Sequence, residues 1–187
     1  MHVGHLTFRG LLALVPIAAS VLVADESAQP SPAPPAGHSI HGEVFNEGPR
    51  QKAYLMGTTG NVSLLITTRS PQAQEFFNQG LGQLHGFWYF EAERSFRQAA
   101  ALDPECAMAY WGMAMANRLN EGRGKKLCDE AVQRKGAACP REVRWIDALA
   151  DYFAPGPENK PRDNQERRKQ FVRNLERIIH EFPEEIE

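Results

Sequence analysis

The sequence predicts an all-α architecture of short paired helices, preceded by an extended or short-strand segment, and three observations carry that prediction. The first is a repeat. Phe76 and Gly80 recur 34 residues on as Tyr110 and Ala114, and self-similarity at a fixed period of this size marks stacked supersecondary units. The second is a series of helix-start signals, namely Ser70-Pro71, Asp103-Pro104-Glu105, Pro140 after Cys139, and Asp163 with Glu166 three residues later. Each offers a capping side chain, a proline suited to the first helical position or a carboxylate near the positive helix end. The third is apolar spacing. Tyr89, Ala92, Phe96 and Ala99 lie on one helical stripe, and Phe171, Leu175, Ile178, Ile179 and Phe182 follow helical spacing near the end of the chain.

From the amino terminus, residues 1–24 read as a signal peptide, with Arg9 in a weakly positive start, an apolar run over 11–23 and the small Ala24 for cleavage. The run contains Pro16 and falls short of the roughly 20 apolar residues that span a bilayer, so no membrane span is expected in the mature chain. Leu22 is large for its place before Ala24, which leaves the cut site open. Residues 25–37 form a Pro-rich linker, including Pro30, Pro32, Pro34 and Pro35. Over 38–69 glycines punctuate short apolar stretches at 53–56 and 62–67, the pattern of extended or short-strand pieces that lie against something else. Residues 70–187 form the helical repeat domain.

Within that domain the first unit, FFNQGLGQLHGFWYFEAERSFRQAAALDP, places an aromatic at Phe76, a small residue at Gly80, then Tyr89, Ala92, Phe96, Ala99 and Pro104. Small residues let two antiparallel helices approach, and Phe96 fills the space between them. The second unit opens with AMAYWGMAMAN. If the turn over 120–124 carries two extra residues, Cys128 and Val132 take its small and large positions and Pro140 matches Pro104. The third has an apolar face on WIDALADYF, a long Pro-rich turn over 154–161 and a final helix.

These motifs resemble the tetratricopeptide repeat family, and within it exported bacterial proteins. The resemblance covers 70–187 and implies a solenoid of helix hairpins whose concave surface binds peptides or proteins. The family usually has Gly where this chain has Phe87, so the turn there is expected to depart from the standard geometry. In the family the first helix of each pair lines the groove, which maps here to Phe77, Leu81, Leu84, His85, Met108, Trp111, Met115 and Arg118. Such a surface is mostly apolar. Two occupants are open: an extended piece of a partner, or the chain's own stretch over 53–67, tethered just before the first helix.

Chemistry is sparse. There is no phosphate-cradling glycine loop, nucleophile elbow, His-Glu-x-x-His helix or EF-hand loop, so catalysis is unsupported and no cofactor is implied. His38, His41 and Glu43 offer two imidazoles and a carboxylate to a metal, but a loop after a Pro-rich linker commonly carries polar residues, and no metal is expected. The acidic residues of the helices mostly sit at cap or surface spacing and read as solvated faces. Three cysteines, Cys106, Cys128 and Cys139, allow one disulfide and a spare thiol, while Cys106 and Cys128 read as small buried residues. Net charge is −2, with 21 Lys and Arg against 23 Asp and Glu, so no excess of basic residues points to a nucleic-acid footprint, and no nucleic-acid partner is expected. The expected function is a protein- or peptide-binding scaffold, periplasmic or secreted, capable of self-association through its carboxyl-terminal edge. The alternative is an accessory module of a metal-binding or enzyme assembly, acting through His38 to Glu43.

Overall fold

A computed structural model of the chain describes residues 52–57 and 59–184. The expected leader, the Pro-rich linker and the His38, His41 and Glu43 group lie outside the described residues. Within them six α-helices follow one another: α1 (Pro71–His85), α2 (Tyr89–Leu102), α3 (Ala107–Ala116), α4 (Glu121–Arg134), α5 (Pro140–Phe153) and α6 (Asn164–Glu181). Each helix packs on the next in sequence, and α3 also touches α1 and α5. Among the described residues no strand is formed, so the short-strand reading of 53–56 and 62–67 does not hold. No helix there is long and apolar enough to cross a membrane.

Local signals start α1, α5 and α6 where the sequence places them. Ser70 Oγ accepts from the Ala73 amide at 3.2 Å, and Pro71 takes the first helical position. Pro140 does the same for α5. Asp163 and Glu166 close a reciprocal capping box at α6. Two starts differ. The predicted start at Asp103 is instead the end of α2, and α3 begins only at Ala107. The Asp103 carboxylate makes a local turn with the Glu105 amide at 3.4 Å on one oxygen, while the other accepts from Thr68 Oγ and the Arg69 amide. Asn120 opens a helix rather than a turn, accepting from the Arg123 amide, so α4 already includes 121–124.

The α1–α2 connection keeps the closure that a glycine normally provides. Trp88 N–H donates to Gln83 O at 2.8 Å and Phe87 N–H to Leu84 O at 3.1 Å, the paired bonds of a Schellman motif. Phe87 therefore sits at a φ of 61°, the left-handed region, with its ring exposed. The expected departure from standard geometry is thus a strained side chain on a standard turn. Since a left-handed non-glycine residue costs about 1–2 kcal/mol and part of that returns as unfolded-chain entropy, Phe87→Gly is expected to raise stability by about 0.5–1 kcal/mol. Urea unfolding of the two proteins checks this.

The core runs through the helix pairs. Phe96 is fully buried with its ring 5.4 Å from that of Phe77. A Cβ at Gly80 would lie 2.8 Å from the Phe96 ring, and one at Gly112 only 2.4 Å, so α1 and α3 approach that ring from two sides with bare backbone. Ala114 is buried as the spacing predicts, and Gly112, outside the repeat pattern, makes the closer approach to the ring. In the third pair Tyr152 meets Phe171 edge-on at 5.8 Å, and Ile178 is buried. Val172 and Ile179 on the same helix stay half exposed.

Candidate functional site

Residues 52–57 and 59–69 form no helix, and no backbone-to-backbone hydrogen bond involves them among the described residues. Backbone polar groups that leave water need partners, and here helix side chains supply them. Gln74 Oε1 accepts from Ile66 N–H at 2.9 Å, while its Nε2 donates to Leu64 O at 2.8 Å. Further along α1, Gln79 repeats the pattern, accepting from Met56 N–H at 2.6 Å and donating to Tyr54 O at 2.9 Å. Each carboxamide thus bridges the carbonyl of one residue and the amide of the residue two further on, as a neighbouring strand would. Asn78 Oδ1 accepts from Leu64 N–H at 3.3 Å and is oriented by Gln74 Nε2 at 2.9 Å.

The start of α5 supplies further contacts. Glu142 Oε1 accepts from Thr67 N–H at 2.5 Å, and the Arg141 guanidinium donates to Leu65 O. Between these contacts side chains alternate: Leu64 and Ile66 are buried in the helical core, while Ser63, Leu65 and Thr67 are exposed. Where the segment crosses α1, a Cβ on Gly82 would stand 2.1 Å from the Thr59 carbonyl oxygen. Only glycine permits that crossing.

Asp103 anchors the carboxyl end of the segment. Its carboxylate accepts from Thr68 Oγ at 2.7 Å and from the Arg69 amide at 2.8 Å. Burial of the carboxyl favours its neutral form, but the bonds from Arg69, Thr68 and Glu105 outweigh it and hold the pKa below the usual Asp value. A folded pKa below the unfolded one contributes stability above the unfolded value, about 3.9, that is lost as pH falls through the folded value. Asp103→Asn is therefore expected to lower the melting temperature at neutral pH and to flatten its fall below about pH 4, a comparison made by thermal unfolding across pH 2–7.

The residues mapped to a groove from the sequence do not form an open surface. Phe77, Leu81, Met108 and Trp111 are buried, Leu84 and Met115 half-buried, and only His85 and Arg118 exposed. Leu64 and Ile66 join the same core as the buried four. Trp111 is closed off by Trp145, edge-on at 5.6 Å, and its Nε1–H donates to the Trp145 carbonyl at 3.1 Å. The carboxamides of α1 carry no apolar periodicity that marks them as contacts. Their signal is a run of uncharged polar residues at helical spacing, Gln74 with Asn78 and Gln79 with Gln83.

Two acidic residues of the helices, Glu93 and Glu142, are buried. Glu142 holds the segment, and Glu93 sits in a network joining α2, the end of α3 and α4. Glu93 Oε1 is shared by Arg97 and Arg123, and Oε2 accepts from Asn117 Nδ2 at 2.9 Å. Glu93 lies on the helical stripe of Tyr89 and Phe96, the one hint of its burial. Cys106 and Cys128 are buried free thiols. Burial pushes Cys106 up to about 11 and Cys128 up to about 12, so both stay protonated at neutral pH and are poor nucleophiles. Among the described residues no three His, Cys, Asp or Glu side chains are grouped to hold a metal ion. Compared with known proteins, the chain matches no family model, no curated protein and no solved structure.

Proposed function

We propose that this protein is a peptide- or protein-binding scaffold of the tetratricopeptide kind, acting in the periplasm or outside the cell. Its binding face lies beside α1 and the start of α5 and is occupied by the chain's own residues 52–57 and 59–69. The observation that carries this reading is the way that segment is held, by side chains of the helices on its backbone, with Leu64 and Ile66 seated in the core. That is how a groove holds a chain rather than how a sheet or a helix pair is built. Tethering gives the resident segment a high effective concentration, on the order of mM for a short linker, so a partner gains access by displacing it.

The test is a full chain carrying Leu64→Asp and Ile66→Asp, which puts charges where the segment is buried. It is expected to keep its helical circular dichroism, unfold at lower urea and bind apolar ten-residue peptides on an array at least tenfold more strongly than the unaltered chain. Unchanged stability together with unchanged peptide binding would exclude the reading.

A further inference from the structure

We infer, resting on the scaffold reading, that the ligand of this groove is an extended peptide segment with uncharged, apolar side chains at alternate, inward positions, recognised chiefly through its backbone. The resident segment displays the chemistry of recognition. Gln74 and Gln79 each take one carbonyl and the amide two residues further on. That spacing suits an extended chain, in which alternate residues present the same edge, and a helix, whose amides and carbonyls are already spent on each other, offers no such pair. The second set of contacts, from Arg141 and Glu142, falls on Leu65 O and Thr67 N–H, the residues that Gln74 skips. The chain is read on both edges. None of these bonds depends on the identity of the side chains they bracket.

Selection by side chain is confined to the inward positions. Leu64 and Ile66 are each about one-twentieth exposed, and a charge at either place would be buried among apolar groups at high cost. Leu65 points outward and is 74% exposed, so that position tolerates any residue. Proline is excluded at the positions of Leu64, Ile66 and Thr67, whose amides donate to Asn78, Gln74 and Glu142. Nothing in the clamp requires the covalent link to Ser70, so a separate chain with this pattern meets the same contacts. The expected ligand is therefore a segment of the form apolar-x-apolar, without charge at the two inward places and free to lie extended.

The probe is a fluorescent peptide with the sequence of residues 60–69, titrated into the full chain carrying Leu64→Asp and Ile66→Asp, with Gly82→Val as a second release variant. Three modified probes accompany it. N-methylation of the amide corresponding to Ile66 is expected to weaken binding at least tenfold, N-methylation at Leu65 less than threefold, and Ser in place of both inward residues to abolish it. In protein also carrying Gln74→Leu, the Ile66 N-methyl penalty is expected to vanish. Equal penalties for the two N-methyl probes would overturn backbone reading while leaving the scaffold intact, because the parent probe still binds. Binding of none of the probes by either release variant, with helical circular dichroism retained, would overturn the scaffold reading together with this one.

Discussion

Replacing Phe96 by Ala is expected to cost about 3–5 kcal/mol, placing it among the most damaging single changes in the chain. The ring is fully buried between α1 and α3, with Phe77 at 5.4 Å. Part of the loss is the transfer energy of the ring, and part is the cavity left behind. That cavity has little means of closing. The usual relaxation is for neighbouring helices to move in, but at Gly80 and Gly112 they already present bare backbone to the ring, and no side chain stands there to swing into the space. The cost should therefore lie towards the upper end of the range. A fall in the urea midpoint with an unchanged slope is the expected record. A midpoint that does not move would contradict the packing described for the first two helix pairs.

Local chemistry was legible in the sequence, and long-range choices were not. Ser70 and Asp163 act on amides three residues away, so the sequence around them contains the whole interaction. Gly80 and Phe96 belong to one helix pair with a fixed spacing, and their contact follows from it. Asp103 shows where such reasoning stops, because beside its local bond from the Glu105 amide it accepts from Thr68 and Arg69, more than thirty residues earlier, and nothing in its own neighbourhood announces those partners. The course of residues 52–69 was legible only as a preference for packing against the first repeat. Its detail rests on Gln74, Gln79, Arg141 and Glu142, and the last two act across 75 or more residues. Carboxamides give no apolar periodicity to read, and a glutamine that grips a backbone has the same letter as one that faces water. The resemblance to the repeat family maps Phe77, Met108 and Trp111 to a groove-lining face. What covers that face is a tertiary fact, supplied here in part by Leu64, Ile66 and Trp145.

The buried carboxylate of Glu93 gives the second large effect expected. Glu93→Ala should destabilise the protein by about 3–5 kcal/mol, the range for removing one partner of a buried ion pair. Glu93 is fully buried and the Arg123 side chain 3% exposed, so solvent offers neither charge much compensation. The carboxylate also accepts from Arg97 at 2.5 Å and from Asn117 Nδ2 at 2.9 Å, and Asn117 Oδ1 in turn accepts from Arg123 Nε at 2.9 Å. Removing Glu93 thus takes away a carboxylate around which two cations and an amide are arranged, at the point where α3 ends and α4 begins. An apolar replacement of both charges avoids that penalty, since the cost lies in the cation left behind rather than in the loss of the pair. Glu93→Leu with Arg123→Leu should therefore be more stable than either single variant, and urea unfolding of the four proteins gives the coupling directly. Additive losses, or a Glu93→Ala cost below about 1 kcal/mol, would show that the network contributes no more than an exposed ion pair.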